Sequence, residues 1–247
     1  MGAKISVIAI VSLLCCSISG CIFSEDEPDN FELNVELSAS SGVIVEKYVS
    51  GDLESINNPK IEFNFSSTKT EIQTIGVDIN DGSEPIELDG ESNSTIIVEF
   101  TSHGKYNVSV YAINSGNTKQ SLTIPIIIDL RIEWIENATL DPKVLNFNPI
   151  PNNGGEHPQL IEIKSTVTNP GILEDFNGGQ SVQFSWTITD ELGDTCQKNN
   201  AVVNDGESEV WETIHFNTYL VHDLSVVYEE GQDPISIDQI LLLTYES

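Results

Sequence analysis

The chain has 247 residues, with 39 Asp and Glu against 10 Lys and Arg, a formal net charge of -29 and 39% hydrophobic residues. That length accommodates one or two domains, each large enough to bury its own core. A charge of this sign excludes nucleic-acid binding, which needs basic patches to neutralise phosphates, and disfavours adhesion to anionic lipid. A solvated acidic surface, or one that binds cations, is what it allows.

Residues 1–20 open with Lys4, continue through an apolar run over 5–14 and end on the small residues Ser17, Ser19 and Gly20. This is the layout of a secretory signal peptide. The apolar run is interrupted by Ser6 and Ser12 and falls short of the roughly 20 residues that a membrane-spanning helix needs. The stretch Ile18-Ser19-Gly20-Cys21 resembles the prokaryotic lipobox, in which a branched apolar residue, a small residue and Gly or Ala precede an obligatory Cys. The resemblance implies cleavage after Gly20 and lipid on Cys21. It implies a cell-surface location, on the outer face of the cytoplasmic membrane or on an outer membrane where the host has one. Two acyl chains, at about 0.8 kcal/mol per buried methylene, anchor a protein stably where one does not. An ordinary signal peptide, in which cysteines such as Cys15 and Cys16 also occur, is the alternative.

Residues 21–30 then form an acidic tether, Ser24-Glu25-Asp26-Glu27-Pro28-Asp29-Asn30, too poor in apolar groups to fold. Cleavage would remove Lys4 from the 10 basic residues and leave 9 against 39 acids, a formal charge of -30. Of Cys15, Cys16, Cys21 and Cys196, only Cys196 would remain as a free thiol, so no intrachain disulfide can form. As a nucleophile Cys196 is poorly placed by sequence, because neighbouring Asp194 raises rather than lowers a thiol pKa.

From Phe31 the pattern is two-residue alternation punctuated by turn residues, which predicts strands. Phe31, Leu33, Val35 and Leu37 share one face. A second strand is expected over 43–49, and others at Ile61/Phe63/Phe65, Ile75/Val77/Ile79, Ile96/Val98/Phe100 and Tyr106/Val108/Val110/Ala112, with a more continuous apolar run over 122–130. About seven strands in some 100 residues are the signature of an antiparallel β-sandwich.

Two motifs in this region carry a resemblance. Val77-Asp78-Ile79-Asn80-Asp81-Gly82-Ser83 looks like the strand-and-turn WDFGDGS of polycystic-kidney-disease-type (PKD) domains. Val98-Glu99-Phe100-Thr101-Ser102-His103-Gly104-Lys105-Tyr106-Asn107-Val108-Ser109-Val110 matches the second motif of that family, HTYxxxGxYxVxLxV. The resemblance covers residues 31–130, and Val77, Asn80 and Val98 depart from the usual Trp, Gly and His. Asn, Asp and Gly in the first motif also make physical sense alone, since they supply side-chain hydrogen bonds and positive φ for a tight turn. Some PKD-type domains bind calcium, which makes Asp78, Asp81 and Glu84 calcium candidates. Against this, Gly82 falls one position early for an EF-hand loop and the closing Glu is missing.

A second domain, residues 131–247, is expected to follow after only a short hinge, because the alternation runs almost unbroken through Ile132 and Trp134. Residues 146–158 read as a Pro, Asn and Gly-rich loop. Strands are expected at Leu160/Ile161/Ile163/Val167, at Val182/Phe184/Trp186/Ile188, and over 210–216, 220–228 and 235–245. Thr166-Val167-Thr168-Asn169-Pro170-Gly171 faintly resembles the immunoglobulin-like repeats of prokaryotic surface proteins, including the CARDB type. The whole is therefore expected to be all-β, two Ig-like antiparallel β-sandwich domains in tandem.

The chain has no GxSxG elbow, no GxxxxGK[ST] and no GxGxxG. Its four histidines, His103, His157, His215 and His222, show no helix-compatible pair spacing and no cysteine set for zinc. His103 and His157 fall in a turn and a loop, where exposed polar residues are expected. Asn64, Asn93, Asn107 and Asn137 begin glycosylation sequons, a number that 21 Asn and 42 Ser or Thr produce by chance. The sequence thus points to a non-catalytic, lipid-anchored surface protein, structural, adhesive or binding an extracellular protein or carbohydrate. The alternatives are an accessory subunit of a secreted hydrolase or transporter and, behind it, an enzyme whose site is assembled from distant residues. Exposed aromatics would favour the accessory role, with Trp134, Trp186, Trp211 and Tyr219 as the residues to inspect.

Overall fold

Alternating apolar residues become strands because each pleat sends successive side chains to opposite faces. The computed structural model describes residues 31–171 and 179–246. Cys21, the leader and the tether lie outside them. The described residues are all-β, without helix: β1 (Leu33–Leu37), β2 (Ser41–Val49), β3 (Asp52–Asn57), β4 (Lys60–Ser67), β5 (Ile72–Asp78), β6 (Ile86–Asp89), β7 (Thr95–Glu99) and β8 (Gly104–Asn114). After the long β9 (Lys119–Thr139) come β10 (Leu145–Phe147), β11 (Leu160–Thr168), β12 (Val182–Asp190), β13 (Thr195–Val203), β14 (Ser208–His215), β15 (His222–Glu230) and β16 (Ile235–Thr244).

The strands form three sheets. A nine-stranded sheet runs β14-β11-β16-β9-β8-β5-β6, with β2 and β3 attached through β9. A three-stranded sheet, β1-β4-β7, and a four-stranded sheet, β10-β15-β12-β13, make up the opposing layers. Pairing is antiparallel apart from β2 with β9, which run parallel from Ser41 opposite Ile127 to Val49 opposite Ile135.

β9 positions everything else. Residues 119–128 pair with β8, and residues from Leu130 to Thr139 pair with β16, so the expected division at 130/131 falls inside one unbroken strand. Its inward residues Ile126, Ile128, Leu130, Ile132 and Trp134 are all buried. They belong to a core that also holds Phe63, Phe100 and Val110 on one side and Ile161, Leu224 and Leu243 on the other. Each such large side chain contributes about 1.5–3 kcal/mol by leaving water. A second cluster, Val182, Phe184, Trp186, Val203, Val226 and Ile235, fills the far end, and Trp186 there donates from Nε1 to Ser165 Oγ on β11 at 2.7 Å.

Candidate functional site

The first motif builds a tight turn after β5. The Asn80 amide donates to Asp78 Oδ1 at 2.8 Å and the Ser83 amide to Asp81 Oδ1 at 2.9 Å. Asn80 and Gly82 take left-handed φ of 56° and 93°, the conformation for which Asn and Gly are suited. Asn80 also reaches across to β8, donating from Nδ2 to Ser109 Oγ at 3.0 Å. The hydroxyl and then the amide of Ser83 hold the Asp81 carboxyl below its ordinary value. Asp78 and Asp81 thus each give one oxygen to the turn itself, and Glu84 is exposed. The second motif ends in a comparable device, in which the buried Tyr106 hydroxyl donates to the Ser102 carbonyl at 2.7 Å. Immunoglobulin-like sandwiches use the same kind of tyrosine corner.

The other sequence candidates scatter. Asn64, Asn93, Asn107 and Asn137 are exposed, and only the first two are drawn near each other, since β4 pairs with β7 so that Asn64 faces Thr95, two residues after Asn93. Trp134 and Trp186 are buried, Trp211 is partly buried against both core clusters, and Tyr219 stands in solvent. His103, expected in an exposed turn, is instead buried, with Nδ1 at 2.7 Å from the Tyr245 hydroxyl. Burial pushes its pKa down. His157 is half-buried, 2.7 Å from the Thr218 carbonyl, with the Tyr219 ring over it.

One assembly was not visible in the sequence. Cys196 on β13, His215 at the end of β14 and His222 at the start of β15 each offer a ligand atom, and these atoms all lie within 4.8 Å of one another. It is the one such group of His, Cys, Asp or Glu among the described residues. The two imidazoles are buried and meet edge to face, with centroids 4.6 Å apart, while Cys196 is exposed. The pairing of β12 with β13 steps from Ile188 opposite Gln197 to Thr189 opposite Thr195, so Cys196 is the extra residue of a β-bulge, a feature that re-aims a side chain. Next to it, Gln197 ties β13 to β14 by donating to the Ile214 carbonyl at 3.0 Å and accepting from Thr213 Oγ1 at 2.7 Å. Burial, then Asp190 and Asp194, push the Cys196 thiol pKa up. Burial and the neighbouring His222 push that of His215 down.

The outward face of β14, β11, β16 and β9 is a second feature. A shallow groove of about 650 Å³ there is lined by Arg131, Glu162, Lys164, Glu212, Ile214, Ile240 and Leu242, among others. Register places Ile214, Glu162, Leu242 and Arg131 in one row across the four strands. Ion pairs at 2.7 Å between Lys164 and Glu212 and 2.8 Å between Arg131 and Glu133 frame the aliphatic side chains.

No protein-family model and no curated protein sequence matches the chain. Among solved structures, it is similar to a carbohydrate-binding module of the β-sandwich superfamily, at 11% identity and a TM-score of 0.31 over 85% of this chain and 95% of the other. It is also similar to the fibronectin(III)-like modules of Clostridium thermocellum CbhA, at 12% identity and a TM-score of 0.26 over 80% and 94%. A third is SGBP-B of the Bacteroides ovatus mixed-linkage glucan utilisation locus, at 9% identity and a TM-score of 0.24 over 83% of this chain and 52% of that one. At such scores these likenesses carry no argument about what this chain binds.

Proposed function

We propose that the protein is a non-catalytic surface lipoprotein, held by lipid on Cys21, that presents a PKD-like and Ig-like β-sandwich to an extracellular protein. The observation that carries the presenting role is the outward face of β14, β11, β16 and β9. In a chain whose charge is -29, this face sets Ile214, Ile240 and Leu242 among charges that are largely paired, Lys164 with Glu212, Arg131 with Glu133 and Lys47 with Glu54, with Glu162 beside them. Approach of a partner meets less repulsion there than at an acidic surface, and aliphatic area is available for burial. A protein is preferred to a carbohydrate as partner because the lining of this face is aliphatic and charged, with no aromatic ring to serve as a stacking platform. An acidic tether of about ten residues could reach at most about 35 Å from the membrane if fully extended.

The test is cell fractionation with surface proteolysis. Wild type is expected in the membrane fraction and cleavable on intact cells, and Cys21→Ala in the medium or soluble fraction. Wild type released into the medium contradicts the anchor.

A further inference from the structure

We propose that Cys196, His215 and His222 form a binding site for a thiophilic transition-metal ion of the zinc(II) class. The donor set is one thiol and two imidazoles, which suit zinc and its neighbours, whereas calcium takes oxygen ligands.

The buried nitrogens argue for a ligand. His215 Nε2 and His222 Nδ1 are enclosed and have no hydrogen-bond partner in the protein, on rings that are only 5% and 1% exposed. Buried polar atoms are nearly always satisfied, so two orphans on touching rings require an explanation. The state of His222 follows from its other nitrogen. Nε2 lies 2.8 Å from the Asn217 carbonyl, which can only accept, so Nε2 carries the proton and Nδ1 presents a lone pair. An imidazole oriented by N–H donation to a backbone carbonyl is the usual outer support of a metal ligand. Asn217 is itself fixed in the loop, its Oδ1 accepting from the Tyr219 amide at 3.2 Å.

The third ligand is brought in by backbone geometry. The bulge at Cys196 and the Gln197 bonds to Thr213 and Ile214 set β13 against the end of β14. Ligand atoms within 4.8 Å of one another close around an ion at the contacts of about 3.3–3.6 Å that tetrahedral bond lengths require. Closure requires Cys196 to approach and the edge-to-face imidazoles to turn their nitrogens to a common point, and the exposure of Cys196 gives the ion its path of entry. On binding, the thiol proton leaves to solvent and the S–metal bond forms. Three protein ligands leave a fourth position for water or an external donor. The acidic surroundings, Asp190 and Asp194 among them, favour a cation.

The untagged full chain, reduced and in detergent micelles, is titrated with cobalt(II) and zinc(II). Wild type is expected to bind one cobalt with a thiolate-to-cobalt charge-transfer band, displaced by zinc, and to melt at a higher temperature with zinc than without. Cys196→Ser, at an exposed position, is expected to melt as wild type without metal, to lack the band and to bind zinc at least about 100-fold more weakly, beyond the 10–100-fold lost with an outer-shell partner. His215→Gln provides a second ligand deletion. A wild type without the band, or equal zinc affinity in wild type and Cys196→Ser, which acidic surface binding would give, overturns the proposal.

Discussion

Tyr106 and His103 show how single side chains hold this fold. The Tyr106 ring packs edge-on against Phe100, centroids 5.0 Å apart, while its hydroxyl closes the turn on Ser102. Burial pushes its pKa up to about 12. Tyr106→Phe leaves the Ser102 carbonyl without this donor and is expected to destabilise by about 1 kcal/mol, read as a lower urea midpoint at unchanged slope. Burial disfavours the charged form of His103, its folded pKa lying below the ordinary 6.5. Between the two values the unfolded chain binds more protons, so stability is full above about pH 6.5 and falls as pH drops toward the folded value. His103→Gln is expected to flatten that part of the stability-against-pH curve, and an unchanged slope would contradict the assignment.

Among elements, the strands legible in the sequence are those with one face in the core. Ile61, Phe63 and Phe65 on β4 alternate with exposed polar residues because only their side of the sheet is covered. Strands without that contrast escape notice. β3 and β6 are exposed along their whole lengths, and β13, reading TCQKNNAVV, has one fully buried residue, at its end. Missing β13 also hid the Cys196 cluster. Its members lie on three strands, and only the pairing of β12 with β13 and β15 and the packing of β14 alongside bring them together, so no spacing along the chain announces it. His103 departs from its sequence expectation for a related reason, since nothing in the turn motif signals that Tyr245, 142 positions away, covers it. On β5, Gly76 lies under the Tyr111 ring, and a Cβ there would come 2.2 Å from its Cζ. Gly76→Ala is expected to cost about 1–3 kcal/mol by overpacking, measured by denaturant unfolding. A neutral effect would mean that the ring moves freely.

At the scale of the whole molecule, β9 joins the N-terminal and C-terminal halves of the described residues, and a core cluster crosses it from Phe63 to Leu243. The described residues are therefore expected to unfold in one calorimetric transition with matching van't Hoff and calorimetric enthalpies. Two resolved transitions would mean that the halves are independent. Burial across the sheets accounts for how the described residues hold together, and the proposed lipid on Cys21 would account for where the protein is held. Mass spectrometry of the N-terminal peptide of the mature protein tests this location most directly. A chain that begins at Cys21 with acyl and diacylglyceryl mass on that residue is the predicted result, and a mature chain that begins elsewhere, or carries Cys21 unmodified, contradicts it.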